Sequence, residues 1–321
     1  MERPEQVDSV LHRALEAGLG QLPLPGSGET AERFSRLAAW GEADCVLARL
    51  IEAHSDAAAI LAELGGPNPA PGRLWGVWAA EPPGSPPLRA TLQGEVWGLE
   101  GEKPYCSGAS LCDDALVSAL APEGRRLFAV DLRAGGSRSL PGGWMAAGMA
   151  GSDTAPVLFA DAVALPVGAP GSYLERPGFW HGAVGVAACW FGAARGVARA
   201  MVAAAGAHEL NPHALAHLGT ADSCLAAMTA VLGQAATAID AEPADRSGAA
   251  RLRAQRVRSV VEQGASRVLE VTGRALGPGP LTQDRRHSRR VADLTIFLRQ
   301  SHAERDLEAE ARELVRRGAD W

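Results

Sequence analysis

The chain has 321 residues, 47% of them hydrophobic and 21% charged, with a formal net charge of −6. That length accommodates two or three packed units, and the composition is that of a globular chain rather than a disordered one. The acidic balance argues against nucleic acid or an anionic membrane surface as partner. Basic charge is almost all arginine, Lys103 being the single lysine. The cysteines, Cys45, Cys106, Cys112, Cys189 and Cys224, are odd in number and scattered without zinc-ligand spacing. They read as reduced thiols, and with no apolar signal core after Met1 the expected location is cytoplasmic.

Taken in chain order, residues 5–19 carry Val7, Val10, Leu11, Ala14, Leu15 and Leu19 at helical spacing, which predicts an amphipathic helix. Pro23, Pro25, Gly26 and Gly28 make the next stretch a loop. Helices follow over 30–41 and 43–64, and the glycines and prolines of 65–72 stop the second one, because proline lacks the amide donor. A domain boundary is placed there, giving an N-terminal helical region over 1–70. Short apolar runs at 74–80, 88–93, 95–99, 115–119, 127–131 and 157–162 are punctuated by Gly, Pro and Ser. They predict a compact antiparallel β-barrel or sandwich as a middle domain, 71–170. Beyond it, helical patterns at 182–205, 214–240, 248–276 and 284–317 predict a four-helix bundle over 171–321. The fold class is therefore α+β.

The 182–205 helix is dominated by glycine and alanine. Each helical glycine costs about 1 kcal/mol relative to alanine, so such a helix must gain from close approach of another backbone, of a flat ligand or of a partner subunit. Arg195 and Arg199 interrupt it, which favours a buried bundle helix over a membrane span.

Four local patterns occur in order. They are Trp78-Ala79-Ala80-Glu81-Pro82-Pro83-Gly84-Ser85, the run Gly101-Glu102-Lys103-Pro104-Tyr105-Cys106-Ser107-Gly108-Ala109, the run Val157 to Pro166, and Arg290 to Asp306 with its Arg-Gln-Ser-His-Ala-Glu-Arg-Asp ending. Together they resemble the acyl-CoA dehydrogenase superfamily of flavoproteins. The resemblance implies FAD as cofactor. Tyr105 would pack against the flavin ring, Ser107 would offer it a hydroxyl, and Ala79 and Ala80 would lie along its edge. The Gly277 to Gly279 turn matches loosely the family's glycine-rich turn over the cofactor phosphates, although a helix-terminating loop fits it equally. The sequence also departs from the pattern. Ala80 lacks the usual hydroxyl, Pro86 stands near the serine that helps hold acyl-CoA, and the arginine element that contacts FAD phosphates is not found.

The activity implied is α,β-dehydrogenation of an acyl thioester on CoA or a carrier protein, with an unspecified electron acceptor. Such chemistry needs a carboxylate base in a dry pocket. The family's usual position before the last helix has no acid, and Glu175-Arg176 matches the alternative Glu-Arg pair, so Glu175 is the candidate base. The bland alternative is a helix-entry acid exposed to water. His302 and His181 are rival candidates, suited to a flavin monooxygenase or oxidase of the same fold. A degenerate scaffold with weak or no FAD binding is the third reading. His213 and His217 share a helical face but lack a carboxylate or thiolate at ligand spacing, so no metal site is expected. The resemblance also implies a homodimer or homotetramer, with no nucleic-acid or membrane partner.

Overall fold

The computed structural model describes residues 4–318. Three helices open the chain, α1 (Pro4–Glu16), α2 (Thr30–Ala43) and α3 (Cys45–Leu64). Seven strands follow: β1 (Trp75–Trp78), β2 (Arg89–Gln93), β3 (Val96–Cys106), β4 (Asp114–Ala121), β5 (Gly124–Asp131), β6 (Ser137–Ser139) and β7 (Ala155–Val167). The remainder is helical: α4 (Ser172–Glu175), α5 (Pro177–Ala207), α6 (Pro212–Ala241), α7 (Ala250–Leu276), α8 (Gly279–Gln283), α9 (Arg285–Phe297) and α10 (Glu304–Arg317).

The chain forms two compact units. One takes the described residues up to Leu22 together with Leu50–Met145 and Ala150–Phe179; the other takes Pro23–Arg49, Ala146–Met149 and the chain from Trp180 onward. This division cuts across the segments 1–70, 71–170 and 171–321, because α1 and the larger part of α3 belong with the strands while α2 belongs with the later helices.

In the first unit the ladder β4–β2–β3–β7–β5 closes on itself through β4–β5, making a five-stranded barrel with β1 added beside β4 and β6 beside β7. The β1–β4 and β2–β4 pairings are parallel and the others antiparallel. Closure removes the exposed edges an open sheet would leave. The apolar stripe of α3 packs on the barrel wall, where Ala57, Ile60 and Leu61 meet Trp75, Leu116, Leu127, Ala129 and Val167. The sequence predicts β3 only as far as Leu99, yet the strand continues through Gly101 and Pro104 to Cys106 by absorbing register shifts at Leu99/Glu100 and Lys103/Cys106. Bulges of this kind let a strand pass residues that regular pairing would reject.

The second unit explains the glycine-rich helix. A Cβ placed on Gly192 of α5 would sit inside contact distance of the Ala38 carbonyl, and one on Gly41 of α2 inside that of the Cys189 carbonyl. The two backbones therefore touch at reciprocal glycines. Trp190 of α5 meets Phe297 of α9 edge-on at 6.3 Å, and Arg258 of α7 donates to the Ala183 carbonyl at 3.1 Å while its guanidinium lies over the Trp190 ring. α5 begins at Pro177, five residues before its expected start. Arg176, as the residue before a proline, is held extended and separates α5 from the single turn of α4.

Asn211 caps α6 by accepting from Ala214 N–H at 2.9 Å, with Pro212 in the first turn. The helix expected over 284–317 is instead two, α9 and α10, joined by a tight turn at Leu298–Gln300 and by Ala303 at φ 47°. His302 N–H donates to Asp306 Oδ2 at 3.0 Å and so restarts the helix. Among the described residues two helices, α5 and α6, are long and apolar enough to cross a membrane by length and composition; 67% of the apolar window of α5 is buried, against 28% for α6.

The close crossing predicts a sharp contrast. Gly192→Val should destabilise the protein by about 2–3 kcal/mol through backbone overlap. Gly233→Ala, at a helical position with open space around it, should stabilise it by about 0.5–1 kcal/mol. Urea midpoints of the two variants against wild type check both signs.

Candidate functional site

The end of β3 is shaped by the Lys103/Cys106 register shift. Pro104 has no N–H to give the ladder, and Tyr105 after it adopts φ 56° with 55% of its surface exposed. A bulky residue in the left-handed region stores strain of about 1–3 kcal/mol. The bulge turns an aromatic ring outward while Lys103 and Cys106 on either side stay buried.

Ser107 follows. Its carbonyl accepts from Trp78 Nε1 at 3.0 Å, and its hydroxyl accepts from Thr154 Oγ1 at 3.1 Å. Thr154 and Ser152 hydroxyls lie 2.8 Å apart. Because the Thr154 hydrogen goes to Ser107, Ser152 is the donor to Thr154, and the Ser107 hydrogen is committed to neither bond. Backbone bonds from Gly108 N–H to Ser152 O and from Ala109 N–H to Asp153 O lace the two loops together at 2.8 and 2.9 Å. Ser152 and Thr154 are additions to the residues read from sequence. They stand in a loop before β7, and no spacing signal ties them to Ser107.

Ala79 and Ala80 leave the end of β1, Ala79 half-buried and Ala80 exposed. The loop they begin is anchored by Glu81. Lys103, only 1% exposed, donates from Nζ to Ser118 O at 2.9 Å, to Ser118 Oγ at 2.7 Å and to Glu81 Oε1 at 3.4 Å. Ser118 Oγ donates in turn to Glu81 Oε1 at 3.0 Å, and Arg125 pairs with Glu81 Oε2. A cavity of about 210 Å³ lies here, lined by the 80–88 loop, Glu102–Pro104 and Arg125. Burial pushes the Lys103 ammonium below its usual value of 10.5, and Glu81 pulls it back.

Glu175, in the same unit, ends the single turn of α4 and is exposed beside Gly171. The dry surroundings that a carbon-acid base requires are absent around it. Its neighbour Arg176 is buried instead, pairing with Glu63 Oε2 at 2.7 Å, while Gly178 N–H donates to Glu63 Oε1 at 3.1 Å. Within the second unit His181 is buried, and its Nε2 lies 3.0 Å from the Pro243 carbonyl. A carbonyl only accepts, so Nε2 carries the proton and the ring ties α5 to the turn after α6. His302 is exposed, with Nδ1 3.3 Å from Asp306 Oδ1 at the start of α10.

Gly277 has φ 64°, and its N–H closes α7 on the Gly273 carbonyl at 2.9 Å, so that amide is engaged by the helix end. Gly279 starts α8, and open space surrounds both glycines. Among the described residues no group of three or more His, Cys, Asp or Glu side chains is arranged to hold a metal ion.

No sequence-family model matches the chain, and no curated protein matches it by sequence. Solved structures do. The complex of TdsC, a dibenzothiophene monooxygenase from Paenibacillus sp. A11-2, with FMN and indole is similar at TM-score 0.77 and 16% identity over 99% of this chain and 98% of that one. A structure of the electron transferring flavoprotein of Acidaminococcus fermentans is similar at TM-score 0.83 and 17% identity, covering 96% and 90%. A Tcur3481-Tcur3483 steroid ACAD variant is similar at 0.75 and 21%, covering 97% and 89%. The chain shares the fold of these structures, a steroid ACAD among them, which is the architecture that the order of the sequence patterns implied.

The Lys103 network gives a thermodynamic test. Glu81→Gln should cost about 2 kcal/mol, since it leaves a buried ammonium with neutral acceptors alone. Adding Lys103→Met should recover part of that loss in a double-mutant cycle. The folded chain holds the Lys103 proton less tightly than the unfolded chain does. Stability should therefore rise with pH in the window that ends at the ordinary lysine value of 10.5, and the Lys103→Met variant should lack that rise. Urea titrations across the window measure it.

Proposed function

We propose that the protein is a flavin-dependent oxidoreductase whose cofactor ring rests against the Tyr105–Ser107 bulge. The observation that carries this reading is Tyr105, a strained and exposed aromatic beside a hydroxyl with a hydrogen to spare. Strain of this kind persists where surrounding structure enforces it, and it concentrates at ligand sites. The fit to a flavin is chemical. A flat amphipathic ring meets a flat amphipathic cofactor, and an O–H faces a ring edge rich in acceptors. TdsC, similar over almost its whole length, is a monooxygenase with FMN bound, which adds support at the level of fold.

A bound flavin supplies the two-electron chemistry. Tyr105 would fix the plane of the ring. Ser107 would hold a hydrogen bond at its edge, backed by Thr154 and Ser152, and Trp78 would brace the Ser107 carbonyl. Whether the dinucleotide FAD or the mononucleotide FMN is held turns on phosphate contacts. The engaged Gly277 amide takes away one donor expected for FAD.

Two substrate reactions fit a flavin placed here. Dehydrogenation of an acyl thioester needs a sheltered carboxylate, and Glu175 is exposed. Oxygen-dependent oxidation of a small organic substrate does not need that carboxylate, and the exposure of Glu175 favours it. We further propose a homodimer or homotetramer built on the exposed face of α6, where Leu215 is uncovered. A reducing, cytoplasmic setting agrees with five free cysteines.

The first test is spectroscopic. Wild-type protein titrated with FMN and with FAD is expected to bind one of them and quench its fluorescence. Tyr105→Gly should weaken binding about tenfold while leaving stability within about 1 kcal/mol, because glycine relieves the positive φ. Ser107→Ala should weaken it about fivefold. A protein that stays colourless with both flavins would reduce the reading to a scaffold.

The second test separates the reactions. Anaerobic bleaching of the bound flavin by an acyl-CoA, lost in Glu175→Gln, would select dehydrogenation. Oxygen consumption driven by reduced flavin, unaffected by Glu175→Gln, is the outcome expected here.

A further inference from the structure

A second cavity in the barrel-containing unit, of about 370 Å³, includes none of Ala79, Ala80, Tyr105 or Ser107. Its walls are Leu15 and Leu22 from the N-terminal segment, His54 and Ala58 of α3, and the proline-rich residues 68–72. The volume falls within the range of small-molecule sites, roughly 300–1,000 Å³.

His54 is 9% exposed and accepts from Trp75 N–H through Nδ1 at 3.3 Å. An amide can only donate, so Nδ1 is the bare nitrogen and Nε2 bears the hydrogen. Burial pulls this histidine down to about 4, which keeps the ring neutral. The chain passes along the ring's Nε2 edge at Gly20, where an added Cβ would come to 3.0 Å from Cδ2 and 3.4 Å from Nε2. Among the described residues, none accepts a hydrogen bond from that Nε2–H. The cavity wall thus combines leucine, alanine and proline surface with the side-chain amides of Gln21 and Asn68, a Ser55 hydroxyl that donates to the Glu52 carbonyl, and the oriented Nε2–H of His54, and it contains no carboxylate, lysine or arginine.

We propose that this cavity binds a small, uncharged, mainly apolar molecule that presents a carbonyl oxygen to Nε2–H of His54. The absence of charged walls disfavours ionic ligands, since an ion would lose hydration without a counter-charge. The apolar surface favours a hydrocarbon or aromatic body. The buried His54 ring, held by Trp75 N–H, presents its Nε2–H in a fixed direction and so sets the ligand's orientation, as a few polar groups do in small-molecule sites. The site stands independently of the flavin reading, because no residue is shared between them.

Acetophenone serves as the probe, with ethylbenzene as the analogue lacking an acceptor and benzoate as the charged one. Binding is followed by nitrogen-15 NMR of the histidines and by ligand-observed NMR on the full chain without flavin. Acetophenone is expected to shift the His54 Nε2 resonance and to bind about five- to tenfold more tightly than ethylbenzene; benzoate is expected not to bind. His54→Asn keeps an acceptor for Trp75 N–H and removes the Nε2 donor, so it should cost acetophenone the same five- to tenfold and leave ethylbenzene unchanged. Ala58→Phe should fill the cavity and abolish binding of both. Equal affinity for acetophenone and ethylbenzene, or an unmoved His54 resonance at saturating acetophenone, would overturn the proposal. The resonance is measured on wild-type protein, so either result stands even if a variant fails to fold.

Discussion

A lysine ammonium shut away from water must be surrounded by acceptors, and the first unit is organised around meeting that demand. Lys103 takes a carbonyl and a hydroxyl from Ser118 of β4 and a carboxylate oxygen from Glu81. The three acceptor atoms lie on β4, two places from β3 along the ladder, and on the loop after β1. One buried charge therefore fixes the end of β3 against both. The strand cannot slide without stranding the ammonium, a cost of several kcal/mol in a low-dielectric interior. The register shift at Lys103/Cys106 is consequently held in place, and with it the outward turn of Tyr105.

This explains how strain is sustained at an exposed tyrosine. The energy stored at φ 56° is opposed by interactions on both sides of it: the Lys103 network before, and the laced loops of Ser107–Ala109 and Ser152–Asp153 after. Neither set touches the Tyr105 ring. The ring is thus positioned by backbone constraint rather than by its own packing, which leaves its faces available. The hydroxyl relay from Ser152 through Thr154 to Ser107 works in the same manner, since it orients a donor without consuming it.

Much of the architecture is legible in the chain because it rests on local chemistry. The α6 start is written in Asn211-Pro212, the end of α3 in the glycines and prolines of 65–72, and the close packing of α5, though not its partner α2, in glycines that no isolated helix would favour. What stays hidden is decided by tertiary partners. The break between α9 and α10 contains neither glycine nor proline; it is set by Ala303 at positive φ and by the bond of His302 N–H to Asp306. The continuation of β3 past Gly101 and Pro104 depends on bulges that only the paired β7 reveals. At the site, Tyr105 and Ser107 are visible through a family pattern, but Thr154, Ser152 and the burial of Lys103 are not, because each depends on a residue at least 15 positions away. The burial of Arg176 is hidden for the same reason, its partner Glu63 lying 113 positions earlier.

The contrast between Arg176 and Glu175 bears on chemistry. In an adjacent acid–base pair at a helix entry, only one side chain can point to the interior when the chain turns sharply between them. Arg176, extended ahead of Pro177, takes the interior position because Glu63 and the first turn of α5 receive it there. Glu175 is left on the water side of a four-residue helix. A carboxylate so placed keeps its hydration, and a hydrated carboxylate is a weak base toward carbon acids. Moving it inward would require displacing Arg176 from a buried ion pair, which would strand Glu63 and the Gly178 amide. The fold therefore keeps a rigid aromatic-and-hydroxyl edge suited to a flat cofactor, while the charge that thioester dehydrogenation would demand is held outside.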